Sequence, residues 1–412
     1  MTAPLRVSVV VVSHHRPEAL KLCLTALARQ DHPAFEIIVA ADAQGLSAAQ
    51  TLPFFDALKT VQVDQLGISN ARNAGVQLAG GAVVAFIDDD AVAPPVWLSR
   101  LTAPFGDPLV AAAGGFVRGR NGISYQWKAR VVDLLARHQD LALPEDQTTL
   151  HPGAPGRAIR TEGTNMAVRR DALERLGGFD PAYRFYLDET DLNIRLAAEH
   201  AMTAIVPTAQ VVHGIAASAW RGSDRVPRSL FDVGASTAIF LRRHAAPADR
   251  SAALDQLRGE QRRRLLRHMV SGGLEPRDVT RLMRDLDAGI TQGMTGPLPP
   301  RPVIQPAPGF AAFPGSSAAT LTVLAGRWWQ GRSLRHRART LVSQGEQVLL
   351  LLFTRTSLFH RFRLHPDGYW EQRGGQFGRS DRKQRLFRPW RLRRRVTAET
   401  ARAARFLGLT AR

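Results

Sequence analysis

The spacing of apolar positions changes several times along the chain, and each change marks an element. Residues 7–12 are all Val except Ser8, which reads as a buried strand. Pro17, after Ser13-His14-His15-Arg16, suits the first turn of a helix, and Leu20, Leu24 and Leu27 carry helical spacing as far as Gln30. Residues 35–41 form a second strand closed by Asp42, and 61–63 a short third one. From Asp64 to Gly75 a loop turns into a helix, with Ser69 or Asn70 as its expected cap. Gly80-Gly81 then precedes a further apolar run, 82–87, which ends abruptly in Asp88-Asp89-Asp90. Such alternation of strand and helix predicts a mostly parallel sheet with right-handed crossovers.

Further along, 94–98 starts a helix, 111–117 is a glycine-interrupted strand, and 121–160 has no clean period. Residues 151–156 are loop-like, and a long loop in a compact domain is often a lid. Residues 163–170 read as a short strand entering a helix at 171–176 that Gly177-Gly178 ends. Asp188-Glu189-Thr190-Asp191 opens another helix, where acids meet the positive end of the helix dipole, and 204–206 and 210–213 read as final strands.

The second half changes character. Apolar positions between 230 and 241 followed by Arg242-Arg243-His244 form an amphipathic helix, which either lies on a membrane or packs on the preceding sheet. Helices are expected at 252–270 and 277–290, a proline-rich linker or strap at 291–317, and a separate module after it. That module has strands at 320–324 and 348–353, a helix at 332–343, a glycine- and aromatic-rich stretch at 368–378 and a basic-aromatic run at 385–395. The expected organisation is a sheet domain at 1–224, a basic helical extension at 225–290, the linker at 291–317 and a basic module of undefined fold at 318–412.

Composition fits a globular chain of 412 residues, with 44% hydrophobic and 22% charged residues. The single Cys23 excludes a disulfide framework and any multi-cysteine metal site. No signal peptide is read at the N-terminus, and no apolar run approaches the roughly 18 residues of a spanning helix. The net charge of +19 is uneven: residues 1–224 hold 20 Lys+Arg and 23 Asp+Glu, leaving 35 and 13 in 225–412. A near-neutral half followed by a polycationic half implies chemistry first and attachment to something anionic second.

Three adjacent carboxylates at a strand end cannot all ionise in a small volume without a cation or a donor-rich ligand, and ligands of open α/β sheets lie at the carboxyl ends of strands. A divalent metal with a phosphorylated ligand answers both conditions.

These pieces together resemble the GT-A-fold, family 2 inverting glycosyltransferases over residues 7–220. The matching segments are Ser13-His14-His15-Arg16, Gly67 to Gly75 with its Ala-Arg-Asn, Phe86-Ile87-Asp88-Asp89-Asp90, 163–170, Gly177-Gly178-Phe179-Asp180, 188–192 and a late strand ending in His213. The resemblance implies a Rossmann-like, mostly parallel sheet and a Mn²⁺ or Mg²⁺ ion at Asp90 and Asp88, with His213 completing the shell. Asp88 alternatively meets the ribose or a metal-bound water. Donor contacts are implied at Ser13, Asp42, Arg72, Asp88 and Asp89, with Asp64 as a second candidate for the nucleobase. Gly163, Thr164 and Asn165 line the junction of donor and acceptor, and Trp220 stacks on a sugar or is buried. The family's Glu-Asp-x-Asp appears with its first two acids exchanged, so Glu189 is the first candidate for the base, then Asp191, then Asp188.

The expected protein is therefore a cytoplasmic, metal-dependent inverting glycosyltransferase in cell-surface polysaccharide synthesis. It would use a nucleotide-sugar donor and a saccharide or lipid-linked acceptor, with the basic half on the anionic inner membrane surface. Nucleic acid ranks below lipid headgroups and a diphosphate-linked acceptor as the partner of that half, since no RNA-recognition or zinc signature occurs. The alternatives are a nucleotidyltransferase on a related sheet, against which the lack of glycine in 7–17 argues, and a non-catalytic scaffold for a polyanion.

Overall fold

A computed structural model of the protein describes residues 4–64, 67–214, 222, 226–315 and 320–411. The chain starts as β1 (Val7–Ser13), α1 (Pro17–Leu27), β2 (Phe35–Ala41), α2 (Ala43–Gln50), β3 (Leu58–Gln62), α3 (Ile68–Leu78) and β4 (Val83–Asp88). β1 pairs in parallel with β2 on one side and β4 on the other, and β2 pairs in parallel with β3. β1, β2 and β4 are buried on both faces, which is why their sequences are continuous apolar runs. Val9, Val11, Ile37 and Val39 face Leu20, Leu24 and Leu27 of α1. Val10, Ile38, Val84 and Phe86 face Val76 of α3 and Phe179.

The sheet continues through β5 (Ala91–Val92), α4 (Trp97–Thr102), β6 (Val110–Arg118), β7 (Tyr125–Trp127), β8 (Arg130–Asp133), β9 (His138–Asp140), β10 (Thr149–His151) and β11 (Arg157–Arg160). Then come β12 (Met166–Arg169), α5 (Arg170–Leu176), α6 (Asp188–Ala198) and β13 (Met202–His213). Its order is β10-β13-β6-β12-β4-β1-β2-β3, with β5 on β13 and β7 on β6, while β11-β8-β9 form a small separate sheet. This is the mixed, mostly parallel α/β architecture expected for the first half.

Several expectations change. The third strand begins at Leu58, where alternation rather than a continuous run marks a half-buried edge. α2 was not anticipated; Asp42 caps it by accepting from the Gly45 N–H. α3 starts at Ile68, so Ser69 and Asn70 are first-turn residues rather than caps. The two expected final strands are one, β13, whose register shifts between Val206 and Val211.

The basic half supplies α7 (Phe231–His244), α8 (Pro247–Val270) and α9 (Pro276–Thr295). α7 does not present its apolar face for a membrane: Ala238 and Leu241 share a core with Leu282, Leu286 and Ile290 of α9. The helices approach closely because a side chain at Gly289 would collide with the Phe231 carbonyl, and one at Gly234 with the Leu286 carbonyl. Among the described residues no helix is long and apolar enough to cross a membrane. Residues 301–315 run back over the first sheet, where the Phe313 N–H donates to the Phe35 carbonyl at 2.7 Å and the Phe313 ring joins the core.

The last residues build a second α/β sheet from β14 (Thr320–Arg327), α10 (Gly331–Ser343), β15 (Gln347–Thr354), β16 (Arg361–Leu364), β17 (Trp370–Gly375), α11 (Leu392–Leu407) and β18 (Thr410–Ala411). The order is β16-β17-β15-β14-β18, and only the β16–β17 pair is antiparallel. Its core is continuous with the first sheet's flank: Ala26 of α1, Val92 of β5 and Val212 of β13 join Leu349, Leu351, Phe362 and Phe406.

Gly289→Ala is expected to lower stability by roughly 1–3 kcal/mol, because the α7–α9 backbones must separate. Gly259→Ala on α8, where the nearest atom to an added Cβ is the end of the Arg263 side chain at 3.5 Å, should instead raise it by roughly 0.5–1 kcal/mol. Thermal unfolding of the two variants checks the opposite signs.

Candidate functional site

β4 carries the acids to the carboxyl edge of the sheet, where β1 delivers Ser13 and Arg16 beside them. Asp88 ends the strand half-exposed, whereas Asp89 and Asp90 turn inward and are buried. Asp89 accepts from the Ser13 hydroxyl at 2.7 Å and pairs with Arg16 at 2.7 Å. Burial pushes its carboxyl up to about 7 against the pull of Arg16. Ser13 and Asp89 thus hold each other and fix the turn that aims Asp88 and Asp90.

Asp88, Asp90 and His213 bring one ligand atom each within 4.8 Å of one another. His213 reaches them because β13 runs antiparallel to β5, pairing His213 with Ala91. Its Nδ1 lies 3.1 Å from Gln126 Oε1 and its Nε2 3.2 Å from Asp90 Oδ1. An imidazole that donates through Nδ1 keeps a lone pair at Nε2, and a lone pair facing a carboxylate calls for a proton or a cation between them. Two carboxylates and a supported imidazole are a donor set that fits a divalent ion, Mn²⁺ better than Mg²⁺.

The second acidic group comes from α6. Tyr186 and Leu187 hold φ of 84° and 66° just before it, a left-handed conformation unusual for bulky residues and found where a site over-determines the backbone. Asp188 pairs with Arg72, whose other amino group lies 3.4 Å from Asp88. Arg72 is buried with the Phe179 ring 5.3 Å from its guanidinium carbon, and this one cation links the two acidic groups. Gly163 leaves the space it occupies, since a Cβ there would collide with the guanidinium. Burial would lower the Arg72 pKa, but Asp188 and Asp88 outweigh it and hold the cation.

Glu189 faces Arg160 at 3.2 Å. Burial would raise its carboxyl, but Arg160, a hydrogen bond from Asp188 and Arg72 hold it below the ordinary value. Burial moves Asp188 the other way, up to about 8, against the pull of Arg72.

The remaining expected residues are placed as follows. Asp191 is fully buried, with Oδ1 bound by His244 Nε2 at 2.8 Å and Oδ2 by Arg195 at 2.7 Å, so both oxygens are committed. Asn165 does not line a cleft: its amide donates to the Phe116 and Ala209 carbonyls and accepts from the Trp97 indole, stitching β12 to β6, β13 and α4. Thr164 is buried with a hydroxyl that has no hydrogen-bond partner among the described residues. Asp42 is buried and accepts from the His15 N–H at 2.8 Å, with the two histidine rings beside it. Asp64 lies exposed past β3, bonded to Gln62. Trp220 lies outside the described residues. Arg16, although inside the matching segment 13–16, was not anticipated as a site residue, nor were Gln126, Arg160 and His244, whose partners are distant in sequence and which no local pattern marks.

Residues 8–177 match the family model described as Glycosyl transferase family 2. A glucosyl-dolichyl phosphate glucuronosyltransferase of Haloferax volcanii is 27% identical over 184 residues, which is 43% of this chain and 56% of that protein. The O-antigen biosynthesis protein RfbC of Myxococcus xanthus is 24% identical over 323 residues, 67% of this chain and 24% of that protein. The chain thus spans little more than half of the first relative and a quarter of the second. Among solved structures, a mannosyltransferase from Pyrobaculum calidifontis in complex with GDP-Man and Mn²⁺ is 19% identical with a TM-score of 0.43, covering 71% of this chain and 88% of that one.

Asp191 has a lowered pKa because Arg195 and the His244 hydrogen bond outweigh its burial. A depressed carboxyl contributes stability above its unfolded value, near about 4, and loses it as pH falls through the folded value. Asp191→Asn should therefore cost roughly 3–5 kcal/mol at pH 7, leaving Arg195 buried without its partner. The gap between wild type and variant should shrink as pH falls below about 4, read by denaturant unfolding across pH.

Proposed function

We propose, from the match of residues 8–177 to the Glycosyl transferase family 2 model, that the chain transfers a sugar, with inversion, from a nucleotide-diphosphate donor to a hydroxyl of a saccharide or lipid-linked acceptor. One observation carries this reading: a single buried guanidinium, Arg72, joins the acids at the end of β4 to those at the start of α6. A group that must hold a leaving diphosphate and a group that must take a proton are then fixed side by side.

In the proposed reaction the acceptor oxygen bonds to the anomeric carbon as the bond from that carbon to the donor phosphate breaks. The hydroxyl proton passes to a carboxylate, and the nucleoside diphosphate leaves with the electron pair. Asp88, Asp90 and His213 would hold a divalent cation, Mn²⁺ or Mg²⁺, which neutralises charge on the departing diphosphate when bound. Arg16, beside Asp89 and Asp90, adds positive charge at the same edge. Glu189 is the proposed base: it sits at the start of α6 beside the Arg72 link, and Arg160 at 3.2 Å favours its charged form. The centre it serves is oxocarbenium-like and demands little nucleophilicity, so a carboxylate held low by Arg160 suffices. Asp188, next to it in the first turn of α6, is fixed by Arg72 and so helps position that carboxylate. Asp191 anchors the helix through Arg195 and His244 rather than acting on the substrate.

A thermal-shift screen of UDP, GDP, dTDP and CMP, each with and without Mn²⁺, is expected to show one nucleotide that stabilises the protein only with the ion. Asp90→Asn should abolish that shift. Glu189→Gln should keep it while transfer falls by about 10²–10⁴-fold, the range for losing a general base. Full transfer by Glu189→Gln would remove the assignment of the base, and a nucleotide shift indifferent to Mn²⁺ would remove that of the metal.

Gly163→Ala tests the guanidinium link without touching a charge. It should displace Arg72 and lower transfer at least tenfold, with native secondary structure retained by circular dichroism.

A further inference from the structure

A second group of metal-ligating side chains stands at the end of β2, outside the proposed transfer steps. Asp42, His14 and His15 each bring one ligand atom within 4.8 Å of the others. His15 Nδ1 lies 2.9 Å from Asp42 Oδ2, and His14 Nδ1 lies 3.5 Å from the same oxygen. Neighbouring residues of an extended chain point to opposite sides. These two rings share a side because His15 holds φ of 54°, and their centroids are 3.9 Å apart. A left-handed histidine is uncommon, and such conformations cluster at ligand sites.

The carboxylate is fixed from behind. Asp42 Oδ1 accepts from the Gly45 N–H at 2.8 Å, and Oδ2 accepts from the His15 N–H at 2.8 Å. A carboxylate oxygen offers about two lone-pair sites. The backbone takes one of those on Oδ2, so one is left for two imidazole nitrogens. At most one ring donates there, and the other Nδ1 turns a lone pair toward a carboxylate. A cation between the three atoms meets both ring lone pairs and the remaining one on the oxygen.

The donor set selects the cation. Two imidazole nitrogens and one carboxylate, with a further position open, suit a tetrahedral Zn²⁺, whereas Mg²⁺ and Mn²⁺ favour oxygen. The group of Asp88, Asp90 and His213 has the opposite balance, two carboxylates and one imidazole. The two groups flank β1, which pairs with β2 on one side and β4 on the other. With neighbouring strands roughly 4.8 Å apart, the ends of β2 and β4 stand about 10 Å from one another. Arg16, next in sequence to His15, reaches across to Asp89 at 2.7 Å. Asp42 is buried, His14 is partly covered and His15 is exposed, so an ion has an entry path to a fixed ligand.

We propose that His14, His15 and Asp42 form a second metal site, selective for Zn²⁺, whose occupancy closes the nucleoside end of the donor cleft. The bound ion would take Asp42 and the edge beside β1 away from a donor, while the acids of β4 keep their own ion. The inhibitory role rests on the transferase reading above; the site itself does not.

The test of the site is calorimetric titration of the full chain with Zn²⁺ and with Mg²⁺, on an Asp90→Asn background that silences the other metal group. One Zn²⁺ should bind, at least tenfold more tightly than Mg²⁺. His14→Gln combined with His15→Asn should weaken Zn²⁺ roughly 100-fold or more, since two of three ligands are gone. Asn accepts a left-handed backbone, so the second substitution keeps the turn. His14→Gln alone should weaken binding roughly tenfold, and it guards against a folding defect in the double variant. Unchanged Zn²⁺ affinity in the double variant, or equal binding of Zn²⁺ and Mg²⁺, would overturn the site. The inhibitory role is read with Asp90 intact, from the thermal shift that a nucleotide gives in saturating Mn²⁺. Added Zn²⁺ should reduce that shift in the wild type and spare it in the double variant. No reduction in the wild type, or an equal reduction in both proteins, would overturn the inhibitory role. If no nucleotide shifts the wild type at all, the transferase reading fails, and the Zn²⁺ titration still decides the site.

Discussion

The arrangement of the first half depends on one buried cation. Placing a guanidinium inside a protein costs several kcal/mol unless its charge and donors are met. Arg72 is met by carboxylates from two separate elements, Asp188 at the start of α6 and Asp88 at the end of β4. The pairing therefore sets the distance between those elements. β4 is held in register by β1 on one side and β12 on the other, so the position of α6 is inherited from the sheet. Gly163 and the Phe179 ring complete the socket, one by lacking a side chain and the other by offering a π face.

The basic second half takes on a different meaning in this setting. Part of its positive charge is spent on internal contacts. Arg242 donates to the Gly293 and Gly296 carbonyls, and Arg243 meets the buried Asp180 at 2.9 Å. Arg395 is fully buried against Glu399 at 3.2 Å. His244, at the end of α7, is one of the groups that hold Asp191. α7 is thus a brace for the helix bearing the proposed base, and both helices lie beyond the family-matched residues 8–177.

The fold of the first half was legible because parallel strands buried on both faces leave continuous β-branched runs, as at 7–12 and 82–87. The elements that escaped were those without such a run. α2 begins directly at a strand end with glycine in its first turn, and β3 is a half-buried edge. In the candidate site, the acids of β4 and α6 stood out by their clustering. Asn165 was expected at the junction of donor and acceptor from the resemblance of its segment, yet its polarity is consumed by two carbonyls and an indole. Arg160 and His244 carried no signal, since their partners lie 29 and 53 residues away and nothing local distinguishes a pairing arginine or histidine from a solvated one. The second sheet was only partly readable: the run at 348–353 was evident, but its neighbours β16 and β17 hide among arginines and glycines.

The strap that returns across the first sheet bears on how the protein is made. Glu36 is buried within β2, where Lys59, the Ser8 hydroxyl and the Gly80 N–H meet part of its carboxylate, and the Ala311 N–H meets the rest from 275 residues downstream. Ribosomes deliver about 5–20 residues per second, so that last donor emerges tens of seconds after the strand it completes. During that interval the nascent sheet has its strands but lacks the cover that Phe313 provides over Phe35 and Phe54. The family-matched part of this chain is therefore translated first and finished late, and an aromatic patch on its flank stays open to chaperones until the strap arrives.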